Sequence, residues 1–224
     1  KEYMMPQNLP INSMTVTDTD VFPNAAIGKK PEILSEILQE EKNITVYERE
    51  IPHLEKDIES LVGKEFELRC SGTLKEIESA IRAGLKNETA LCEDAISLLV
   101  RFKEISEADS FRILLEKVET NMCRKFHTDI NDLRMLCTYS GQGTMWLPEG
   151  AVNRSFLKSM EGNESIVSDN ALVQQVSAGD VVILKGAIYP QKNTKAIVHR
   201  SPPIEESGEK RILFRIDTNE FMNF

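Results

Sequence analysis

Apolar positions recur at helical spacing between residues 31 and 108, then switch to a spacing of two from Phe111 onward. Pro31 opens the first helical stretch, with Ile33, Leu34, Ile37 and Leu38 on one face. Asn43 to Ile51 alternates β-branched and aromatic residues with polar ones and predicts a strand. Leu54, Ile58, Leu61 and Val62 mark a second helix, and Phe66 to Cys70 is a short strand-like break. Thr73 and Glu76 form a capping box ahead of Leu74, Ile77, Ile81 and Leu85. A fourth helix runs from about Thr89 to Lys103, with Leu91, Ala95, Leu98, Leu99 and Phe102 as its stripe.

Beyond Phe111 the predicted strands are 112–120, 123–129, 133–139, 144–147, 173–176, 180–184, 196–199 and 211–216. Short strands at this spacing, joined by glycine-bearing turns, predict a sandwich or jelly roll around a small interior. Between them only Ser155 to Met160 hints at a helix. The expected class is therefore α+β. It comprises an irregular lead-in over 1–30, a helical N-terminal cover over 31–109, and a jelly-roll core over 110–224 that carries the chemistry.

Composition narrows the function. With 224 residues and 41% hydrophobic content the chain can bury a core. A net charge of −9 argues against general nucleic-acid binding, which needs basic stripes. No apolar run reaches the ~20 residues that span a bilayer, so no membrane role is expected. Four cysteines without CxxC spacing (Cys70, Cys92, Cys123, Cys137) read as reduced thiols and a cytoplasmic location.

The chain has three histidines. His127 sits in Phe126-His127-Thr128-Asp129, and His199 in Ile197-Val198-His199-Arg200. On a strand, residues two apart share a face, so His127 and Asp129 can reach one ion. With His199 on a later strand they make the two-histidine, one-carboxylate set that suits a redox-active Fe(II). The pattern alone does not fix the direction of the His199 ring. His53, after Pro52 at a helix start, stands apart from this set.

The order of an HxD strand, a β-rich stretch, a distal His and then an Arg on the next strand resembles the Fe(II)/2-oxoglutarate-dependent dioxygenases over residues 110–218. That resemblance implies a double-stranded β-helix core with His127, Asp129 and His199 as iron ligands. Arg211, twelve residues after His199, would hold the distal carboxylate of 2-oxoglutarate by a charge-assisted contact. Arg215, on the same strand face, is its rival, and Tyr139 would donate its hydroxyl to the same carboxylate. Leu213 stands where many members carry a Ser, which leaves the co-substrate less settled than the metal. Several longer segments extend the likeness over most of the chain. They are Cys123 to Asp129, Leu136 to Pro148, Ala151 to Arg154, and His199 to Pro203. These resemble an uncharacterised family catalogued as domain of unknown function number 1826. A zinc-binding or metal-homeostasis role without oxygenase activity is the alternative.

Other residues carry weaker signals. Trp146 is either a pocket wall or a core residue, and Arg134 and Arg154 are either anchors for an anionic substrate or solvated surface arginines. Cys123 and Cys137 flank the HxD segment and would shift the site towards zinc if they ligated. The substrate itself has no signature in the sequence.

Overall fold

The computed structural model describes residues 22–190 and 195–218, and the expected features at 1–21 and 219–224 lie outside the described residues. Among the described residues, ten strands form two sheets. The large sheet takes β1 (Ala25–Gly28), β2 (Ile44–Tyr47), β3 (Glu67–Gly72), β4 (Phe111–Val118), β5 (Leu133–Ser140), β8 (Val181–Lys185) and β10 (Arg211–Thr218). The small sheet takes β6 (Met145–Leu147), β7 (Gln174–Gln175) and β9 (Val198–Arg200). Spatial order is β1-β2-β8-β5-β10-β4-β3 in the first and β7-β6-β9 in the second. Every pairing is antiparallel except β1 with β2.

The helices lie on one face of the large sheet. A 3-10 turn at Pro31–Leu38, α1 (Glu55–Val62), α2 (Leu74–Gly84) and α3 (Thr89–Ser106) carry the expected stripes. Leu34, Leu61, Ile77, Ile81, Leu99 and Phe102 share one buried cluster with Ile113, Leu115, Met135, Ile183, Phe214 and Ile216 of the strands. At the start of α2 the Thr73 backbone N–H donates to the Glu76 carboxylate at 2.8 Å and the Thr73 hydroxyl oxygen accepts from the Glu76 backbone N–H, which completes the capping box.

The opposite face of the large sheet meets the small one. Leu136, Val182, Leu184 and Leu213 pack there with Trp146, Ile197 and Ile204. Strand parity thus divides β5 and β10 cleanly. Cys137, Ile212, Phe214 and Ile216 look towards the helices, while Leu136 and Leu213 look between the sheets.

Two expectations are corrected. The stretch before residue 109 supplies β2 and β3 close to where strands were expected, but also β1, which falls inside the expected irregular lead-in. Residues 123–129 do not form a strand. Asn163 takes over their backbone bonding, accepting from the Phe126 N–H at 2.8 Å and donating to the Arg124 carbonyl at 2.9 Å. One ladder rung survives there, the isolated bridge between His127 and His199. Ser155 to Met160 shows only a 3-10 turn at Arg154–Phe156, and the nearby α4 is a single turn at Asn163–Ile166.

Candidate metal centre

The surviving rung builds the site. His127 and His199 face each other across it, each N–H donating to the other's carbonyl at 3.0 Å. Residues directly opposed in an antiparallel pair point to the same side, and the two rings lie 4.7 Å apart. In both histidines Nδ1 lies against the carbonyl two residues earlier, 2.9 Å from Lys125 O and 3.5 Å from Ile197 O. Nδ1 is thereby turned to the backbone, and both Nε2 atoms face Asp129, at 3.6 and 3.3 Å. The ligand atoms of His127, Asp129 and His199 all lie within 4.8 Å of one another.

Asp129 is brought in by Arg134 rather than by strand alternation. Arg134 Nη1 donates to Asp129 Oδ2 at 2.5 Å, while its Nε and Nη2 hold Asp217 of β10 at 2.6 and 3.2 Å. Burial works against the Asp129 charge. The two imidazoles and the Arg134 guanidinium prevail and hold the carboxyl well below the usual carboxylate range. Hydrogen bonds to Asp129 and Cys123 lift His127 to about 10, so an incoming cation must displace a proton there.

Arg211 lies in the same pocket as both histidines, with Arg134, Leu136, Thr144, Arg200, Leu213 and Arg215 among its walls. It is 1% exposed. Its Nη2 donates to Thr138 Oγ1 at 3.2 Å, and its Nε and Nη1 are buried without a partner. Burial lowers its pKa to about 10, outweighing the attraction of the Glu209 and Glu116 charges. Gly141 makes room for it. With φ at +82°, and with any Cβ colliding with the Lys210 carbonyl and the Arg211 side chain, only glycine fits that turn.

The remaining expected site residues separate. Arg215 reaches the pocket from β10, with Nε 3.2 Å from Asp217. Tyr139 is corrected. It points to the helical side, stacks on Phe214, and its hydroxyl donates to Asp94 Oδ2 at 2.7 Å. The reason is alternation along β5: Tyr139 shares the parity and the buried cluster of Leu133, Met135 and Cys137, while Thr138 shares the face of Leu136 and meets Arg211. Arg134 is committed to Asp129 and Asp217. Arg154 is bound by Glu149, Nη2 to Oε2 at 2.6 Å, and by the Ala196 carbonyl. Trp146 is opposite His199 in register but packs edge-on against Phe22 at 5.5 Å, outside the histidine pocket. Cys123 lines the pocket, whereas Cys137 is buried on the helical side. Sequence reasoning missed Thr138 and Asp217. Parity with Leu136 and Leu213 was the signal available for both.

Residues 28–217 match the family described as "Protein of unknown function (DUF1826)". The chain belongs to that family. No curated protein matches it. Among solved structures, this DUF1826 chain is similar to a dioxygenase for auxin oxidation from Arabidopsis thaliana in complex with 2-oxoglutarate. The identity is 10% and the TM-score 0.47, covering 87% of this chain and 91% of that one. It is also similar to a Pseudomonas putida prolyl-4-hydroxylase (10%, TM-score 0.42, 83% and 92% covered). A third is the Fe(II)/(alpha)ketoglutarate-dependent dioxygenase TqaL (9%, TM-score 0.42, 74% and 74% covered). No described helix is long and apolar enough to cross a membrane.

Proposed function

We propose that this DUF1826 chain is an Fe(II)- and 2-oxoglutarate-dependent oxygenase. In this reading His127, Asp129 and His199 hold the iron, and Arg211 holds the distal carboxylate of 2-oxoglutarate. The observation that carries it is the Arg211 guanidinium, buried beside the three converging ligands with two nitrogens unpaired. Leaving a buried charge without a partner costs several kcal/mol, and an anionic ligand removes that cost. A zinc buffer has no use for such a group, so the zinc-handling alternative ranks second.

The donor set fits iron: two imidazoles and one carboxylate on one side of an open position. When bound, the iron would supply the oxidising chemistry with dioxygen as oxidant, one oxygen atom going to the 2-oxo acid as it loses CO₂ and the other to the hydroxylated second molecule. The chain supplies orientation. The Lys125 and Ile197 carbonyls fix the rings, Arg134 fixes the Asp129 carboxylate, and Leu136 and Leu213 keep the floor apolar. The pocket measures about 60 Å³, room for about two waters. Admitting a five-carbon diacid therefore requires side chains to shift.

The strand order supports a jelly roll. From β4 to β10 the chain visits the large sheet, the His127 rung, the large sheet, the small sheet twice, then large, small and large again. That alternation is what the double winding of a double-stranded β-helix would give, and it supports this reading of the core.

The test is binding, read by metal analysis and by calorimetry on the Mn(II) form. His127→Ala and His199→Ala should each lose stoichiometric metal while staying folded. Arg211→Met should keep the metal and weaken 2-oxoglutarate binding by ~1.5–3 kcal/mol, the scale of a charge-assisted hydrogen bond. Wild-type protein that binds no 2-oxoglutarate at millimolar concentration would hand the site to the zinc alternative.

A further inference from the structure

Around Arg211 the described residues offer buried donors without a matching acceptor. Its Nε and Nη1 have no partner, and Nη2 alone is engaged, by Thr138 Oγ1 at 3.2 Å. Glu209 and Glu116 attract the guanidinium from a distance without bonding to it. Glu209 accepts from Gln142 Nε2 instead, at 2.6 Å. Thr138 adds a third donor. A hydroxyl that accepts from a guanidinium keeps its own hydrogen for another partner. No described hydrogen bond uses that hydrogen, although Thr138 is only 2% exposed. Unmatched buried donors are costly, and this group of them suits the oxygens of a carboxylate.

Register explains why this hydroxyl comes from β5. Leu213 follows Arg211 by two residues on the same face of β10, lines the pocket, and has no polar side-chain atom. Thr138 stands directly opposite Leu213 in the ladder between β5 and β10. Opposed residues share a face with their Cβ atoms ~5 Å apart. A hydroxyl absent from one strand is therefore available from the other. The Thr138 backbone is pinned as well, its carbonyl accepting from the Gly179 N–H at 2.8 Å.

We propose that Thr138 is a binding residue for the 2-oxo acid, its hydroxyl donating to the same distal carboxylate that Arg211 holds. The proposal rests on the oxygenase reading for the identity of that ligand. The carboxylate then takes donors from β10 and β5 together, one charged and one neutral. Arg211 supplies the attraction, and the Thr138 hydroxyl fixes where one oxygen sits without burying a second charge. A 2-oxo acid lacking the distal carboxylate would leave all these donors unmatched, which is how a buried polar site rejects an analogue. Thr138 thereby contributes to a preference for 2-oxo diacids over monoacids.

The experiment uses the full chain loaded with Zn(II), which is redox-inert, and reads binding by calorimetry. The probes are 2-oxoglutarate and 2-oxopentanoate, which keeps the chelating head and the chain length but ends in a methyl group. Thr138→Val should weaken 2-oxoglutarate about tenfold, equivalent to about 1.4 kcal/mol. Thr138→Ser, which keeps the hydroxyl, should stay within about twofold of wild type, and Thr138→Val should leave 2-oxopentanoate within the same margin. Adding Leu213→Ser to Thr138→Val should restore most of the lost affinity from across the ladder. A cycle with Arg211→Met separates direct contact from orientation of the arginine. In that background Thr138→Val should still weaken 2-oxoglutarate. No further loss there would make Thr138 a positioning residue for Arg211 and overturn the proposal. Equal weakening of both acids, or no weakening of either, also overturns it while the oxygenase reading stands. Wild-type protein that takes no 2-oxoglutarate overturns both.

Discussion

At Arg211, two unpaired guanidinium nitrogens inside the sheet pair set binding against stability. Methionine fills much of the same space without a charge to desolvate, and removing buried ionic groups in favour of apolar ones is often stabilising by about 1–4 kcal/mol. Arg211→Met should therefore raise the melting temperature of the ligand-free protein by a few degrees while lowering co-substrate affinity, as differential scanning calorimetry and titration will report. A lower melting temperature would mean that the Thr138 contact outweighs the desolvation. Arg134 makes a contrasting case, since its loss leaves Asp129 free to rotate. Arg134→Gln should cut metal affinity ~10–100-fold, the range seen for groups that orient a ligand, measured by competition with a metal-sensitive dye. These two arginines also show where residue-level reading stopped. Parity along β5 made Arg134 an inward residue, but its service to Asp129 depends on a loop whose path no periodicity encodes. The same parity sets Tyr139 with Cys137 on the helical face and Thr138 with Leu136 beside Arg211, so the contact expected of Tyr139 ran against the alternation of its own strand.

Among the elements, the helices were the most legible, because each carries its own stripe and α2 its own capping box. β1 was hidden. Ala-Ala-Ile-Gly has little strand preference of its own, and it becomes a strand by pairing in parallel with β2. How the helices are joined was equally invisible, and Glu88 shows it. This buried carboxylate, just ahead of α3, accepts from Ser60 of α1 at 2.8 Å and from Lys64 at 2.6 Å. Burial pushes its carboxyl up, but the two donors outweigh it and hold the pKa below 4.5. A depressed carboxyl contributes stability that is complete above the unfolded value and fades as pH falls below it. Glu88→Gln should therefore be less stable than wild type at neutral pH. The gap in urea midpoint should close as the pH drops below 4.5. Parallel curves across that range would place the contribution in packing instead of charge.

For the whole molecule, the telling feature is the seat of β10. It is the final described strand in sequence, and it lies between β4 and β5 in the large sheet. During synthesis, those two neighbours must wait for it with their facing edges unpaired, through more than the whole span of the small sheet. Open strand edges are templates for the wrong partner, and long-range pairings close slowly. A nascent chain halted just before Arg211 already holds both histidines and Asp129. It nevertheless lacks Asp217, which steadies Arg134, and the pocket's Arg211 and Arg215. Such a chain should be readily cut by protease and held by chaperones, and should resist both once the final strand has emerged. Completion of the pocket is therefore timed by translation: the same late strand that closes the sheet delivers Arg211 to it.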